Sequence, residues 1–503
     1  MERGWHRRSQ GLWRCSLFLM LCQSLHGLLP SGSSLHAADR PNIVMIAIDD
    51  LNDWVGCLQG NPQAQTPHID TLAQKGMLFT NAHCQAPLCN SSRASLLSGR
   101  RPSSTGVYAL EPWLKESPVL KNCTTLPEFF RKQGYQVHLG GKIFHGNYPP
   151  EAERALIADS WGPPGVIGIR PQKRLVADVP GGHPLVDWGE FPHDDRKKGD
   201  WKVASWGVQH LKKQGGQPYF LAVGFFLPHV PCYASPEWFE RYPEETTTLP
   251  EVPDNDRDDI PEFAWNLHWQ LPEPRLSWLK KNGQWKNLVR SYLASITFVD
   301  SQVGRIVEAV SQRPDADNTI IVLWSDHGWH LGEKGVTGKN TLWRESTRVP
   351  LIFAGPGIAK GRCAEPAELL DIYPTLAQLI GVPIPEELEG HSLQSQLKDP
   401  TARRAWPAIT THGPGNHSVV TDEWRYIRYA NGSDELYHIK EDPREWKNLS
   451  SDPTKRELIA GLQKWIPTND AVPVPGSKSR LLEQREGVWY WEGAPINPTD
   501  AVK

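Results

Sequence analysis

The sequence predicts an α/β protein with one large, mostly parallel or mixed sheet flanked by helices and a smaller C-terminal α+β subdomain. Three observations carry this expectation. Residues 42–48 (Asn-Ile-Val-Met-Ile-Ala-Ile) form a continuous apolar run ending in Asp49-Asp50, the pattern of a central strand buried on both faces. Further apolar runs at 136–139, 219–225, 319–324 and 350–354 alternate with helical patterns. After about Ala405 the rhythm changes to short alternating segments.

The elements follow in order. Thr66-Pro67 opens a helix by a cap followed by proline, and Gly76 closes it. Residues 92–97 read as the start of a second helix. Thr125, with Glu128 three residues on, forms the capping box of a third, which ends at Gly134. A long helical pattern over 288–310 precedes the strand at 319. Strands at 418–421 and 425–429 and a helix around 455–465 make up the smaller unit. Two segments, 147–202 and 242–285, are rich in Pro, Trp and charge and have no clear period. Long loops inside a compact domain are functional or disordered; the aromatics here disfavour disorder, so both are expected to roof a site.

The 503 residues carry 54 Lys plus Arg against 57 Asp plus Glu, a formal charge of -3. That balance lacks the basic footprint of a nucleic-acid binder, while leaving room for a local basic pocket. The 22 tryptophans lie largely in Pro-rich stretches, where they suit sugar rings and the pinning of long loops equally. At the N-terminus, Arg3, Arg7, Arg8 and Arg14 precede an apolar run over 15–29, with Ala37 and Ala38 beyond it. This is the order of a secretory signal, and the run is too short and interrupted for a comfortable membrane span. Met20-Leu21 before Cys22 make a poor lipid-attachment motif. The expected organisation is a signal peptide over 1–37, a large α/β domain over 39–405 and the α+β unit over 406–503. The mature chain is expected to be soluble, off the membrane, and secreted or periplasmic, or in a lysosome-like compartment in a eukaryote. Six cysteines remain beyond the signal, too sparse for a disulfide scaffold and without paired metal-binding spacing.

Two acidic groups stand at strand ends. Asp49-Asp50 closes the first strand, and Asp326-His327-Gly328 closes the strand at 319–324. In parallel sheets, ligands gather beyond the carboxyl ends of the strands. Singly, these residues read as turn and cap residues. Together they offer three carboxylates and one imidazole to a hard divalent cation, Ca²⁺ or Mg²⁺.

The segment Cys89-Asn90-Ser91-Ser92-Arg93-Ala94-Ser95-Leu96-Leu97-Ser98-Gly99-Arg100 resembles the sulfatase signature, Cys-x-Pro-Ser-Arg followed by x-x-Leu-Leu-Thr-Gly-Arg. That family has the alkaline-phosphatase-like fold, and its cysteine is oxidised to formylglycine by a maturation enzyme. Ser91 departs from the pattern, standing where the family has Pro or Ala. Gly140-Gly141-Lys142-Ile143-Phe144-His145, the run from Phe220 to Pro231, Ser325-Asp326-His327-Gly328-Trp329 and the run from Tyr292 to Arg305 with its Val299-Asp300-Ser301-Gln302-Val303-Gly304-Arg305 resemble the iduronate-2-sulfatase subgroup. The likeness extends through most of 40–450 and is weakest in the two loops.

The resemblance implies one Ca²⁺ ion held by Asp49, Asp50, Asp326, His327 and the modified Cys89. It implies that Lys142 and His145 hold the formylglycine hydrate and that Arg93 buttresses it and the metal. Lys339 would contact the sulfate, and His229 would sit near the leaving oxygen. Trp329 reads equally as a sugar-facing ring or a core aromatic. The implied reaction is hydrolysis of sulfate esters on a sulfated oligosaccharide or polysaccharide, as in glycosaminoglycan degradation. A phosphonate or phosphate monoester hydrolase, and a non-catalytic carbohydrate-binding relative with unmodified Cys89, are the competing readings.

Overall fold

In the computed structural model, residues 40–497 are described apart from Asn147 and Gln214. The expected signal segment lies outside the described residues. The first strand, β1 (Asn42–Asp49), is buried along its whole length. Its side chains alternate between two cores: Val44, Ile46 and Ile48 face one, and Ile43, Met45 and Ala47 face the other. A period of two on a strand covered from both sides explains why its sequence is continuously apolar.

Seven further strands complete the sheet: β2 (Met77–His83), β3 (Gln136–Gly141), β4 (Ser160–Pro164), β5 (Tyr219–Pro228), β6 (Thr319–Ser325), β7 (Leu351–Ala354) and β8 (Gly361–Glu368). The spatial order is β8-β2-β7-β6-β1-β5-β3-β4. Every pairing is parallel except the two made by β7, with β2 and β6. The sheet is therefore mixed, with one reversed strand. Three of these strands have no counterpart in the sequence reading. β2 starts directly after Gly76, so no turn signal separates it from the helix. β4 lies within the segment read as a loop; it is a Pro- and Gly-bearing edge strand paired on one side only. β8 is interrupted by a register shift between Cys363 and Pro366.

Helices α1 (Pro67–Lys75), α4 (Gly199–Leu211) and α5 (Trp285–Ser311) cover one face of the sheet. Helices α2 (Cys89–Ser98), α3 (Leu126–Lys132) and α6 (Ile372–Leu379) cover the other. The capping box forms, with the Glu128 carboxylate accepting from the Thr125 N–H at 2.8 Å and its hydroxyl at 2.7 Å. At α1 the cap differs from expectation. Thr66 makes no side-chain cap, and the Asp300 carboxylate of α5 accepts from the N–H groups of His68 (3.2 Å) and Ile69 (2.8 Å). A carboxylate reaching in from a neighbouring helix satisfies the same orphan donors.

The C-terminal part holds a four-stranded antiparallel sheet: β9 (Ala408–Thr411), β10 (His417–Val420), β11 (Trp424–Arg428) and β12 (Asp434–His438). Helix α7 (Arg456–Gln463) follows, and then a three-stranded sheet, β13 (Leu482–Arg485), β14 (Val488–Trp491) and β15 (Ala494–Pro495), which has no counterpart in the sequence reading. The N–H of Thr411 donates to the Gln85 carbonyl at 2.8 Å, fixing β9 beside the approach to Cys89. All six cysteines among the described residues are free. No described helix is long and apolar enough to cross a membrane.

Candidate active site

The strand ends gather the polar residues. Asp49 ends β1, and Asp50 follows with φ 59°, a left-handed conformation that costs a non-glycine residue energy. The turn is held from several sides. The Asp50 N–H donates to Asp326 Oδ1 at 3.1 Å, and the Asp50 carbonyl accepts from the Tyr292 hydroxyl at 2.7 Å. The Leu51 N–H donates to Ser325 Oγ at 3.0 Å. Asp326 and His327 follow β6, so adjacent parallel strands deliver both acidic pairs to one edge.

Lys142 and His145 follow β3. Its last residue, Gly141 (φ +77°), runs so close to β5 that a Cβ there would stand 1.9 Å from the Gly224 carbonyl oxygen. A side chain at that position would push the Lys142 turn away from the site. His229 follows β5. Cys89 opens α2, three residues earlier than the sequence pattern indicates; the cap position is Leu88, which offers no side-chain cap. Residue 89 thus lies at the electropositive end of a helix whose first N–H groups are unclaimed by a cap.

Around Cys89 Sγ stand Lys339 Nζ at 3.0 Å, His327 Nε2 at 3.2 Å, Lys142 Nζ at 3.7 Å and Asp50 Oδ1 at 4.0 Å. His145 interacts electrostatically with it, and its Nδ1 is buried without a hydrogen-bond partner. Lys339 Nζ also donates to Asp50 Oδ1 at 2.7 Å, and Lys142 Nζ donates to Asp49 Oδ2. Arg93, one turn along α2, donates from Nε to Asp326 Oδ2 at 2.8 Å and from Nη2 to Asp49 Oδ1 at 3.2 Å. Its other nitrogen donates to the carbonyls of Lys142 and Ile143. His229 Nε2 lies 3.9 Å from Asp50 Oδ2, and its Nδ1 donates to the Val230 carbonyl at 2.6 Å.

The electrostatics divide into two halves. Burial alone disfavours a thiolate at Cys89, but Lys142, Lys339 and His327 overcome it and hold the thiol well below its usual range. Burial also opposes charge on Asp49, and Cys89 adds to it; Lys142, His229 and Arg93 prevail and keep the carboxyl low. At His327, burial opposes the charged form, as does Lys339; Asp326, Cys89 and Asp50 together outweigh them and lift the imidazole to about 9. One side of residue 89 therefore favours negative charge, and the strand-end corner favours positive charge.

That corner has the chemistry of a cation site. Ligand atoms of Asp49, Cys89, Asp326 and His327 lie within 4.8 Å of one another, as do those of Asp49, Asp50, Cys89 and His229. Asp50 Oδ2 is buried without a hydrogen-bond partner. His327 Nδ1 donates to the Gly328 carbonyl at 3.0 Å, so Nε2, on losing its proton to a bound cation, is the electron-pair donor facing the corner.

With this arrangement in place, similarity to known proteins becomes informative. Residues 41–382 match the sulfatase family. The chain belongs to the sulfatase family. The sulfatase is thus a sulfuric ester hydrolase, and residues 332–470 also match the family described as N-sulphoglucosamine sulphohydrolase, C-terminal. A sulfatase of Formosa agariphila is 39% identical over 447 residues, covering 86% of this chain and 87% of that protein. Human iduronate 2-sulfatase is 30% identical over 442 residues, covering 77% and 76%. The solved structure of a 2-O GAG sulfatase superposes with a TM-score of 0.63 at 24% identity, covering 84% of this chain and 90% of that one; at that identity it shows the shared fold.

Some participants of this sulfatase site lie in or beside runs that resemble the family but are not singled out there as site residues. Tyr292 lies mid-helix in α5, where periodicity marks it only as buried. Ser92 Oγ donates to the Asp326 carbonyl at 2.5 Å, tying α2 to β6. Asn340, next to Lys339, has φ 74° and both amide atoms buried without partners. Trp329 is 3% exposed and packed in the core, its ring 5.5 Å from Lys339 Nζ, so its reach is to that lysine.

Proposed function

We propose that this protein hydrolyses sulfate esters of a sulfated carbohydrate, in the manner of iduronate-2-sulfatase, with residue 89 as the nucleophilic position. The observation that carries the reading is the set of nitrogens from Lys339, His327 and Lys142 converging on Cys89 Sγ at 3.0–3.7 Å. A relative named for iduronate supports the carbohydrate substrate.

Cys89 would be oxidised to formylglycine by a dedicated maturation enzyme. Its hydrated aldehyde supplies two hydroxyls on one carbon, one to attack sulfur and one whose deprotonation releases sulfate. Asp49, Asp50, Asp326 and His327, with the modified residue 89, would hold one Ca²⁺ ion. Bound there, it would supply positive charge to offset the negative charge of the sulfate ester.

The chain's own residues do the rest. Lys142 and Lys339 flank residue 89 and stabilise negative charge where it develops, already oriented by Asp49 and Asp50. Arg93 keeps the two strand-end carboxylates apart and aligned. His229, with Nδ1 committed to the Val230 carbonyl, presents Nε2 as the acid that protonates the leaving alcohol. His145, held below its usual range by burial despite Cys89, stays neutral and takes a proton from residue 89. Trp329 carries Lys339 on its face.

A secreted or periplasmic location fits both the expected signal and this role. The catalytic unit would span 39–405, with the α+β unit over 406–503 packed against the approach to residue 89. The test is turnover of an aryl sulfate beside an aryl phosphate and an aryl phosphonate, with peptide mass spectrometry at residue 89. Sulfate turnover with an aldehyde at residue 89 supports the reading. Preference for phosphorus esters, or an intact thiol in active protein, overturns it.

A further inference from the structure

Three segments that take no part in the proposed chemistry meet beside the site. Glu273 lies against Gly338, where a Cβ would come within 3.1 Å of Glu273 Cγ. Its carboxylate is thus one residue from Lys339. Arg480 Nη2 stands 3.9 Å from Glu273 Oε2, too far for a hydrogen bond. Arg480 Nε and Glu273 Oε2 are both buried without hydrogen-bond partners, and the Glu273 side chain is only 6% exposed. A guanidinium nitrogen and a carboxylate oxygen left side by side without hydrogen bonds carry a cost that a ligand accepting from the one and donating to the other would remove.

Arg480 is fixed where it stands. Its φ is 69°, and its N–H donates to Glu492 Oε1 at 2.7 Å. The carbonyls of Lys478 and Ser479 accept from the N–H groups of Glu111 (3.3 Å) and Leu110 (3.4 Å). The same loop is held by Asn90, whose amide donates to the carbonyls of Ala109 and Pro112 at 3.0 and 3.1 Å. A chain of contacts therefore runs from the residue after Cys89 to Arg480. The third segment closes the space, with a Cβ at Gly181 falling 3.8 Å from Pro272 Cα. His183, two residues on, interacts electrostatically with Glu273, Arg480 and His229. The electrostatic reach to His229 sets the pocket toward the leaving-group side of the site.

We propose that Arg480 and Glu273 form a specificity subsite, in which Arg480 pairs with a second negative charge on the sulfated sugar and Glu273 accepts a ring hydroxyl. The planar guanidinium suits a carboxylate or a second sulfate ester equally. An ionised carboxylate accepts hydrogen bonds only, which selects O–H groups and repels a second anion at its own position. This deepens the sulfatase reading and rests on it.

The experiment compares kcat/KM on an aryl sulfate, on a sulfated sugar with no other charge, and on the same sugar bearing a carboxylate or a second sulfate. The wild type is expected to prefer a doubly charged sugar, and whichever of the two it prefers identifies the partner of Arg480. Arg480→Ala should lower kcat/KM on that sugar by about tenfold to a hundredfold more than on the aryl sulfate, the range for one charge-assisted hydrogen bond. Glu273→Gln should weaken all three sugars more than the aryl sulfate. Arg480→Gln keeps most of the stem, and decides the matter if the alanine variant loses all turnover. Equal losses on every substrate, or no wild-type preference for a second charge, overturn the subsite while leaving the sulfatase reading intact. A wild type inactive on all four substrates overturns both.

Discussion

Arg93 Nε and Asp326 Oδ2 form an ion pair at 2.8 Å in which neither side chain is more than 1% exposed. The same guanidinium holds Asp49, so one cation organises the ends of β1 and β6. Truncating one member of a buried pair leaves the other charge without compensation. Arg93→Ala is therefore expected to lower folding stability by about 3–5 kcal/mol, read as a shift in urea midpoint at constant slope. A change under about 1 kcal/mol would show that the carboxylates find other partners.

The strand-end corner predicts linkage between metal and stability. A ligand that binds only the folded chain stabilises it by about 2.7 kcal/mol at a hundredfold excess over its Kd. Added Ca²⁺ should raise the thermal midpoint of chelator-treated protein and restore its sulfatase activity. Asp50→Asn should abolish both responses. A midpoint indifferent to Ca²⁺ in the unsubstituted protein would speak against the site.

Much of this site was legible because strand-end chemistry is local. Asp49-Asp50 and Asp326-His327 each follow an apolar run, and a parallel sheet brings such ends together without further information. The Cys89 segment carried its own signature. What stayed hidden depends on contacts distant in sequence. The α1 cap comes from Asp300, more than two hundred residues away, and Tyr292 supports Asp50 from the middle of a helix. Glu273 and Arg480 lie in segments without period, where no pattern links one residue to another. The reversed strand β7 reads like its neighbours, since an apolar run does not encode its direction.

Buried histidines set an acid limit on stability. His330 is pushed down to about 3 and His412 to about 4, chiefly by burial. The unfolded chain takes up a proton at each near pH 6.5, and the folded chain does not. The contribution is full above pH 6.5 and declines as pH falls toward 4, by about 1.4 kcal/mol per pH unit for each group. His412 Nε2 donates to the Leu267 carbonyl at 3.0 Å, a bond that glutamine can also make. His412→Gln should flatten the dependence of the urea midpoint between pH 6.5 and 4.5 by about one proton. An unchanged slope would place His412 in a protonated state.

Ser91 departs from the family signature, and its place in the helix indicates how much that matters for folding. It is the third residue of α2, where backbone N–H groups lack intrahelical acceptors; the first bond of this helix is from the Ser92 N–H to the Leu88 carbonyl at 2.9 Å. Proline there removes no helical hydrogen bond. Its hydroxyl is buried without a partner, so losing it frees an unsatisfied group. Ser91→Pro is expected to change stability by less than about 1 kcal/mol and to leave conversion of Cys89, read by peptide mass spectrometry, at least as complete. Reduced conversion would mean that the serine itself is recognised.

The sharpest test of residue 89 is Cys89→Ser. The side chain is 1% exposed and close to its replacement in size, so the fold should persist with its thermal midpoint nearly unchanged. Serine still presents an oxygen to Lys339, Lys142 and His327, and so retains a nucleophile. It has one hydroxyl where a hydrated aldehyde has two, and therefore lacks the internal group that expels sulfate. The variant is expected to lose multiple turnover by at least about a thousandfold, the scale for removing a covalent catalyst. Incubation with an aryl sulfate should leave, at most, one equivalent of released phenol per chain and a sulfate adduct on residue 89. Sustained turnover by Cys89→Ser would show that a single hydroxyl suffices, and would move the proton work of His145 and His229 onto an ordinary serine mechanism.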